Sequence, residues 1–406
     1  RQMCIRDRYP DIPNNEFTRD EILSMLAKEM LDAAEQLPAS QPEVGRIHKY
    51  IALAYAAKIK LYQAYQQDEI THAVTSINKE LLREVVSLCD QVTASNRYGL
   101  LDDFQGLDLV TNENGKESVF AIQYSMNDGT ESAGRINWSN LLNSPGGGSP
   151  YGGDGFFLPS QDLINAYQTD ANGLPDFNYQ SKSDYSWAVL NNGVYTLQNT
   201  TPNVDPRLDF VVGRPTITWK TYPDKPCEGW VRDKDTYGYN CAKRFWVSPE
   251  SSDMFNGWPW GASQLNWQII RYADILLWKA EALIELNEGN GLETARDLIN
   301  QIRNRARNSA YVKDFNDHSK YAANYLVNPY PADVWNQDYA RQALRWETRL
   351  EKALEGERFF DLVRWGIVET TMNNYITAES DNRIYYANAH FTGGKDEYYP
   401  VPNNQY

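Results

Sequence analysis

In 406 residues the chain carries 39 Lys and Arg against 54 Asp and Glu, a formal net charge of −15. That balance argues against nucleic acid, whose phosphates demand a basic face, and against anionic ligands captured by charge alone. No stretch approaches the roughly 18 apolar residues of a membrane-spanning helix, while 12 Trp and 27 Tyr make an unusual aromatic surplus.

The first element is announced by Thr18-Arg19-Asp20-Glu21, a capping-box spacing, followed by Ile22, Leu26, Met30, Ala33 and Leu37 at helical period; Pro38 ends it. A second helix begins near Arg46 with Ala52, Tyr55, Ala56, Ile59 and Tyr62 on one face. Its expected antiparallel partner runs from about Ile77 to Thr93 through Leu81, Leu82, Val85, Leu88 and Val92. Small alanines permit close approach, and either stripe alone would stay exposed, which is the logic of a tetratricopeptide helix pair.

Between Asn137 and Trp267 the helical period gives way to Gly, Pro, Asn, Asp and Ser clusters, as in Ser144–Gly155, and only Pro159 to Gln168 reads as a helix. This third of the chain nevertheless holds eight of the twelve Trp, including Trp138, Trp187, Trp219 and Trp230. Helical pairing then resumes. Tyr272, Leu276, Ala280, Leu283 and Ile284 form one stripe, residues 287–291 a turn, and Ala295, Leu298, Ile299, Ile302 and Ala306 the answering stripe. A third pair is expected over Tyr339–Leu354 and Arg358–Tyr375.

Catalytic motifs are scarce. The four His lack metal-ligand spacing, and there is no nucleophile elbow or phosphate loop. Gly146-Gly147-Gly148 reads as a turn. Asp233 and Asp235 before Gly238 resemble the start of a calcium loop, but Tyr237 and Arg244 stand where oxygen ligands are needed; Asp170-x-Asn172-Gly173 reads as a plain turn. No metal and no cofactor are expected. Arg303, Arg305, Glu347, Glu355, Arg358, Asp361 and Arg364 read as partly buried ion pairs locking helices together. Cys227 and Cys241 bracket a polar loop whose length permits a disulfide, without sequence alone supplying the geometry.

An ordered set of residues identifies a resemblance. Arg271, Ala273, Leu276, Ala280 and Glu281 are followed by Arg303 and Arg305-Ala306, then Glu347, Glu355-Gly356, Arg358, Asp361-Leu362 and Arg364-Trp365-Gly366. With the late Tyr399-Pro400-Val401-Pro402, this set resembles the C-terminal signature of the SusD/RagB family of glycan-binding outer-membrane lipoproteins. The resemblance implies a mainly α fold, with tetratricopeptide-like helix pairs as scaffold and a long, irregular, aromatic-rich lobe inserted. The expected division is residues 9–100 and 267–406 for the scaffold and 101–266 for the ligand lobe.

It also implies non-catalytic capture of an oligo- or polysaccharide at the cell surface and delivery to a SusC-like, TonB-dependent transporter in the outer membrane. Residues 1–8 read as a scar on a truncated reading frame. By the resemblance, a hundred-odd further residues upstream would carry the signal and the lipid-anchor cysteine, and one more short segment would follow Tyr406.

The ligand surface is expected among the aromatics of the lobe, since an indole or phenol face covers the C–H face of a pyranose. Trp258 and Trp260, which flank Pro259 between Gly257 and Gly261, lead the candidates. Trp138, Tyr151, Trp219, Tyr222 and Trp230 lie among turn residues and follow them, whereas Trp246 and Trp267 read as core. Two other readings stay open: a glycoside hydrolase, which needs two carboxylates across one cleft, and a tetratricopeptide scaffold gripping a protein.

Overall fold

The computed structural model describes residues 16–131, 134–138, 143, 145–146, 148–186, 188–191, 194–197, 202–226, 228–258 and 260–400. Its longer helices are α1 (Arg19–Gln36), α2 (Lys49–Ala64), α3 (Lys79–Ala94), α4 (Tyr272–Leu286), α5 (Gly291–Asn308), α6 (Gln337–Glu351), α7 (Arg358–Arg364) and α8 (Val368–Glu379).

Helix α1 starts as its sequence dictates. The Thr18 hydroxyl accepts from the Glu21 N–H at 3.3 Å and the Glu21 carboxylate accepts from the Thr18 N–H at 2.8 Å. These bonds satisfy two of the donors that a helix start leaves orphaned. Helix α2 buries Ala52, Ala54, Ala56, Ala57 and Ala64, so α1 and α3 approach it closely on either side. A short antiparallel hairpin, Tyr65–Gln67 with Val74–Ile77, turns the chain between α2 and α3. Its strands are too short to stand out against the flanking helical periods.

Helix α4 is the hub, packing on α3, α5 and α6 and touching α2. Thirteen of its 15 residues are buried, Asp274, Glu281 and Glu285 among them, so it is enclosed nearly all round rather than along one stripe. The chain enters it from the strand Trp267–Arg271, which pairs antiparallel with Ser118–Ile122. The expected helix over Arg358–Tyr375 is two, because the chain turns at Gly366 with φ +68°, where a Cβ would stand 3.0 Å from the Val74 side chain.

The signature charges lie where these helices meet the lobe. Glu351, at the end of α6, has Arg271 at 2.9 Å, Arg207 at 3.3 Å and Arg305 also bonded to it. Glu347, one turn earlier, takes Arg207 at 2.6 Å and Arg303 at 3.1 Å. Glu355 takes Arg271 at 2.7 Å and Arg244 at 3.3 Å. Arg364 pairs with Asp361 at 2.9 Å and with Glu281. Arg207 lies in the irregular stretch between α3 and α4, in the short helix Arg207–Val211, so the network ties that stretch to the helical pairs. Arg358 departs from expectation. It has no carboxylate within ion-pair distance among the described residues, and Arg349 stands beside it. Burial, reinforced by that like charge, pushes its guanidinium down to about 9.

Three apolar cores result among the described residues. The largest joins α2 to α6 with Leu362 and Trp365. A second, around Phe104, Tyr167, Leu208 and Val211, reaches α6 through Leu350. The third consists of Tyr151, Trp219, Trp230, Cys241 and Trp246 within the lobe.

Candidate functional site

The lobe has little regular structure, so its interior is built from aromatic rings instead of sheet. The Trp219 indole N–H donates to the Tyr151 hydroxyl at 2.8 Å, and that hydroxyl donates to the Val247 carbonyl at 2.6 Å. Ring centroids stand 5.8 Å apart for Tyr151 and Trp219, 5.6 Å for Tyr151 and Trp246, and 5.3 Å for Trp219 and Trp230. Tyr151, Trp219 and Trp230 are therefore core, and the expectation that they present a ligand surface is corrected. Buried indole and phenol groups need internal partners, and these have them. Trp246 is core as expected, and Trp267 is half-buried against Phe245 at 4.7 Å.

Trp258, Trp260 and Trp138 do the opposite. They are 71%, 54% and 47% exposed, in a chain whose other Trp with described side chains are buried or half-buried. Trp258 and Trp260 ride the tip of a narrow hairpin closed by the Phe255 N–H donating to the Ala262 carbonyl at 2.8 Å and by a Met254–Ser263 bridge. Ser263 also bridges Asn137, whose N–H donates to the Ser263 carbonyl at 2.8 Å, so Trp138 leaves the lobe beside the base of the same hairpin.

The base is held further by Gln264 on Asp253 at 2.6 Å and by Asn137 on the Leu265 carbonyl at 3.1 Å. Gly257 and Gly261 at the tip have φ +123° and +76°. The glycine-rich run read only as turns has a packing role as well: a Cβ on Gly152 would stand 3.3 Å from the Trp260 Cβ. Phe156, 61% exposed just after that run, is a further outward-facing aromatic, and its position after six glycines is the local signal that marks it.

Tyr222 is partly buried against Trp230, with centroids 6.5 Å apart, and it borders a separate cavity of about 1030 Å³. The cavity wall mixes rings (Tyr222, Tyr311, Phe315) with polar groups (Asp102, Gln105, Asn112, Lys313, His318). Its residues come from three distant stretches of chain, so no local pattern announces it. Within the wall, Lys220 is bonded to Asp108 at 3.0 Å, and Lys243 donates to the Asp209 and Thr218 carbonyls at 2.7 and 2.9 Å. Burial pushes Lys243 down to about 7.

The Asp170 carboxylate accepts from the Asn172 and Leu174 N–H groups, and Asp233 caps the short helix Lys234–Tyr237. Glu113 is a carboxylate moved toward general-acid character, raised to about 7 by burial and then by Asp253, against the Asn266 N–H at 2.6 Å. It lines a crevice of only about 10 Å³, which has no room for a sugar ring. Trp187, Cys227, Pro259, Gly147, Val401 and Pro402 lie outside the described residues, and with Cys227 the expected disulfide to the buried Cys241.

The fold has clear relatives among solved structures. A SusD superfamily protein from Bacteroides vulgatus aligns with a TM-score of 0.59 and 22% identity over 93% of this chain and 64% of its own. A SusD-like carbohydrate binding protein from Bacteroides fragilis gives 0.60 and 21% over 88% and 60%. A laminarin binding SusD-like protein gives 0.51 and 19% over 95% and 66%. The chain thus spans somewhat under two thirds of the length of these relatives. No curated protein matches it. The SusD family model matches residues 116–406, and with the helical scaffold and its charged signature in place the chain belongs to the SusD family.

Proposed function

We propose that this protein is a non-catalytic glycan receptor that binds an oligo- or polysaccharide through the exposed indoles of Trp258, Trp260 and Trp138. The carrying observation is that these three large apolar rings face solvent on one hairpin-and-neighbour unit whose backbone is already bonded in place. A platform ordered before the sugar arrives avoids the entropic cost of ordering it on binding. Membership in a family that includes a carbohydrate binding and a laminarin binding relative supports the same reading.

On this proposal the protein works at the outer-membrane surface, held by a lipid anchor, and passes its glycan to a SusC-like, TonB-dependent transporter. The large cavity beside Tyr222 supports a second placement of the ligand, since its wall combines ring faces with hydroxyl-bonding side chains.

Retardation in native gels loaded with soluble polysaccharides finds the ligand, and calorimetric titration then locates it. Stacking a sugar on one indole covers apolar surface worth roughly 1.5–3 kcal/mol at ~25 cal/mol per Å². Trp258→Ala or Trp260→Ala should therefore weaken binding by at least about tenfold in a folded protein. Wild-type affinity in both, with loss in Tyr222→Ala, would move the site to the cavity. New reducing ends appearing in proportion to protein concentration would refute the non-catalytic reading.

A further inference from the structure

A second concave region lies where α6, α7 and α8 face residues 157–180. It has two lobes, of about 390 and 360 Å³, that share Tyr179, Gln180, Arg349, Arg358 and Thr371 in their walls and so form one groove. The first lobe is cationic, lined by Arg341, Arg345, Arg349 and Arg358. Two of these are neutralised: Arg341 forks onto Glu285 at 2.7 and 2.8 Å, and Arg349 meets Asp162 at 2.6 Å.

Arg345 and Arg358 have no such partner among the described residues. Arg345 stands over the Trp365 ring at 5.4 Å, and the acid on this lobe's wall, Asp338, is bonded to Arg341. Two partly buried guanidiniums without a carboxylate are costly in a chain with 15 excess negative charges available to supply one. The second lobe is mostly apolar, walled by Leu163, Leu354, Phe359 and Met372.

We propose that this groove docks a segment of a partner polypeptide in which a carboxylate side chain, set in the lobe lined by Arg345 and Arg358, neighbours a bulky apolar side chain set in the lobe of Leu163 and Met372. Charge complementarity selects the acid, and the adjoining lobe selects a polypeptide over an acidic sugar. Sugar hydroxyls set against Leu163, Leu354 and Met372 would gain no hydrogen bond from those side chains, whereas a Leu or Phe side chain buries against them favourably. The overall negative charge of the chain does not oppose this, because a lined groove presents its own local field.

The test is fluorescence anisotropy with a labelled, end-blocked peptide Gly-Glu-Leu-Glu-Phe-Gly. The expected result is saturable binding below about 1 mM, weakened at least about tenfold when both Glu become Gln or when Leu and Phe become Ala. Arg345→Gln and Arg358→Gln should each weaken it at least about fivefold with thermal stability retained. Added salt should weaken it too. Absence of saturable binding, or equal affinity for the Gln peptide, overturns the proposal. Tight binding of trigalacturonate at the same groove, with the peptide's apolar residues irrelevant, assigns it to an acidic sugar and overturns it as well.

Discussion

Glu351 is the residue on which the scaffold's electrostatics converge, and removing its charge is the sharpest probe of the fold. It is fully buried, and Arg207 from the lobe, Arg271 from the start of α4 and Arg305 from α5 all bond to it. Burial alone would raise its carboxyl; the guanidiniums of Arg305, Arg271 and Arg207 outweigh that and hold it down at about 2. Glu351→Gln keeps the shape and leaves these cations undercompensated in the interior, a change that costs on the order of 3–5 kcal/mol. At roughly 2.1 cal/mol/K of unfolding entropy per residue, the 406-residue chain would lose about 4–6 °C in Tm.

A depressed carboxyl contributes its stability in full above the unfolded value of about 4.5 and loses it as pH falls toward 2. The gap between wild type and Glu351→Gln should therefore be complete at pH 7 and close progressively below pH 4.5. Scanning calorimetry across that range measures it. Glu43, whose pair with Arg46 is exposed, serves as control, and Glu43→Gln should cost under about 0.5 kcal/mol. A Glu351→Gln protein melting within about 1 °C of wild type at pH 7 would refute the idea that this network fastens lobe to scaffold.

Other substitutions test the remaining assignments. Glu113→Gln should raise Tm at pH 8, because a carboxyl raised to about 7 favours its protonated form, whose stabilising effect is present below about 4.5 and fades through 7; the gain should vanish near pH 4. Arg358→Ala should leave Tm unchanged or raise it slightly, since it removes a desolvated cation beside Arg349, and a fall of several degrees would reveal an acidic partner. Tyr151→Phe strands the Val247 carbonyl and the Trp219 N–H and should cost roughly 1–3 kcal/mol in denaturant melts, with glycan affinity unchanged if the cluster is core.

The elements whose stripes or caps are local were legible in the chain. The Thr18 capping box, the alanine face of α2 and the paired stripes of α4 and α5 each need only neighbours in sequence. The ordered signature charges likewise identified the family before any contact was known, and their spacing along α4, α5 and α6 foreshadowed the buried network.

What the chain could not decide alone was exposure in a lobe without periodicity. Trp219 in TITWKT and Trp258 in NGWPWG sit among equally turn-rich residues, yet one is buried and the other faces solvent. The difference arises from Tyr151, 68 positions before Trp219, whose hydroxyl accepts from its indole N–H, and from Asn137 bracing the hairpin of Trp258 across more than a hundred residues. Arg358 shows the same limit. Its sequence neighbours Glu355 and Asp361 are acids, but Arg271, brought in by the packing of α4, claims the first, and Arg364, three residues further along α7, claims the second. Helical period and capping are properties of neighbouring residues, whereas which ring is covered and which charge is left over depend on partners that only the folded chain brings together.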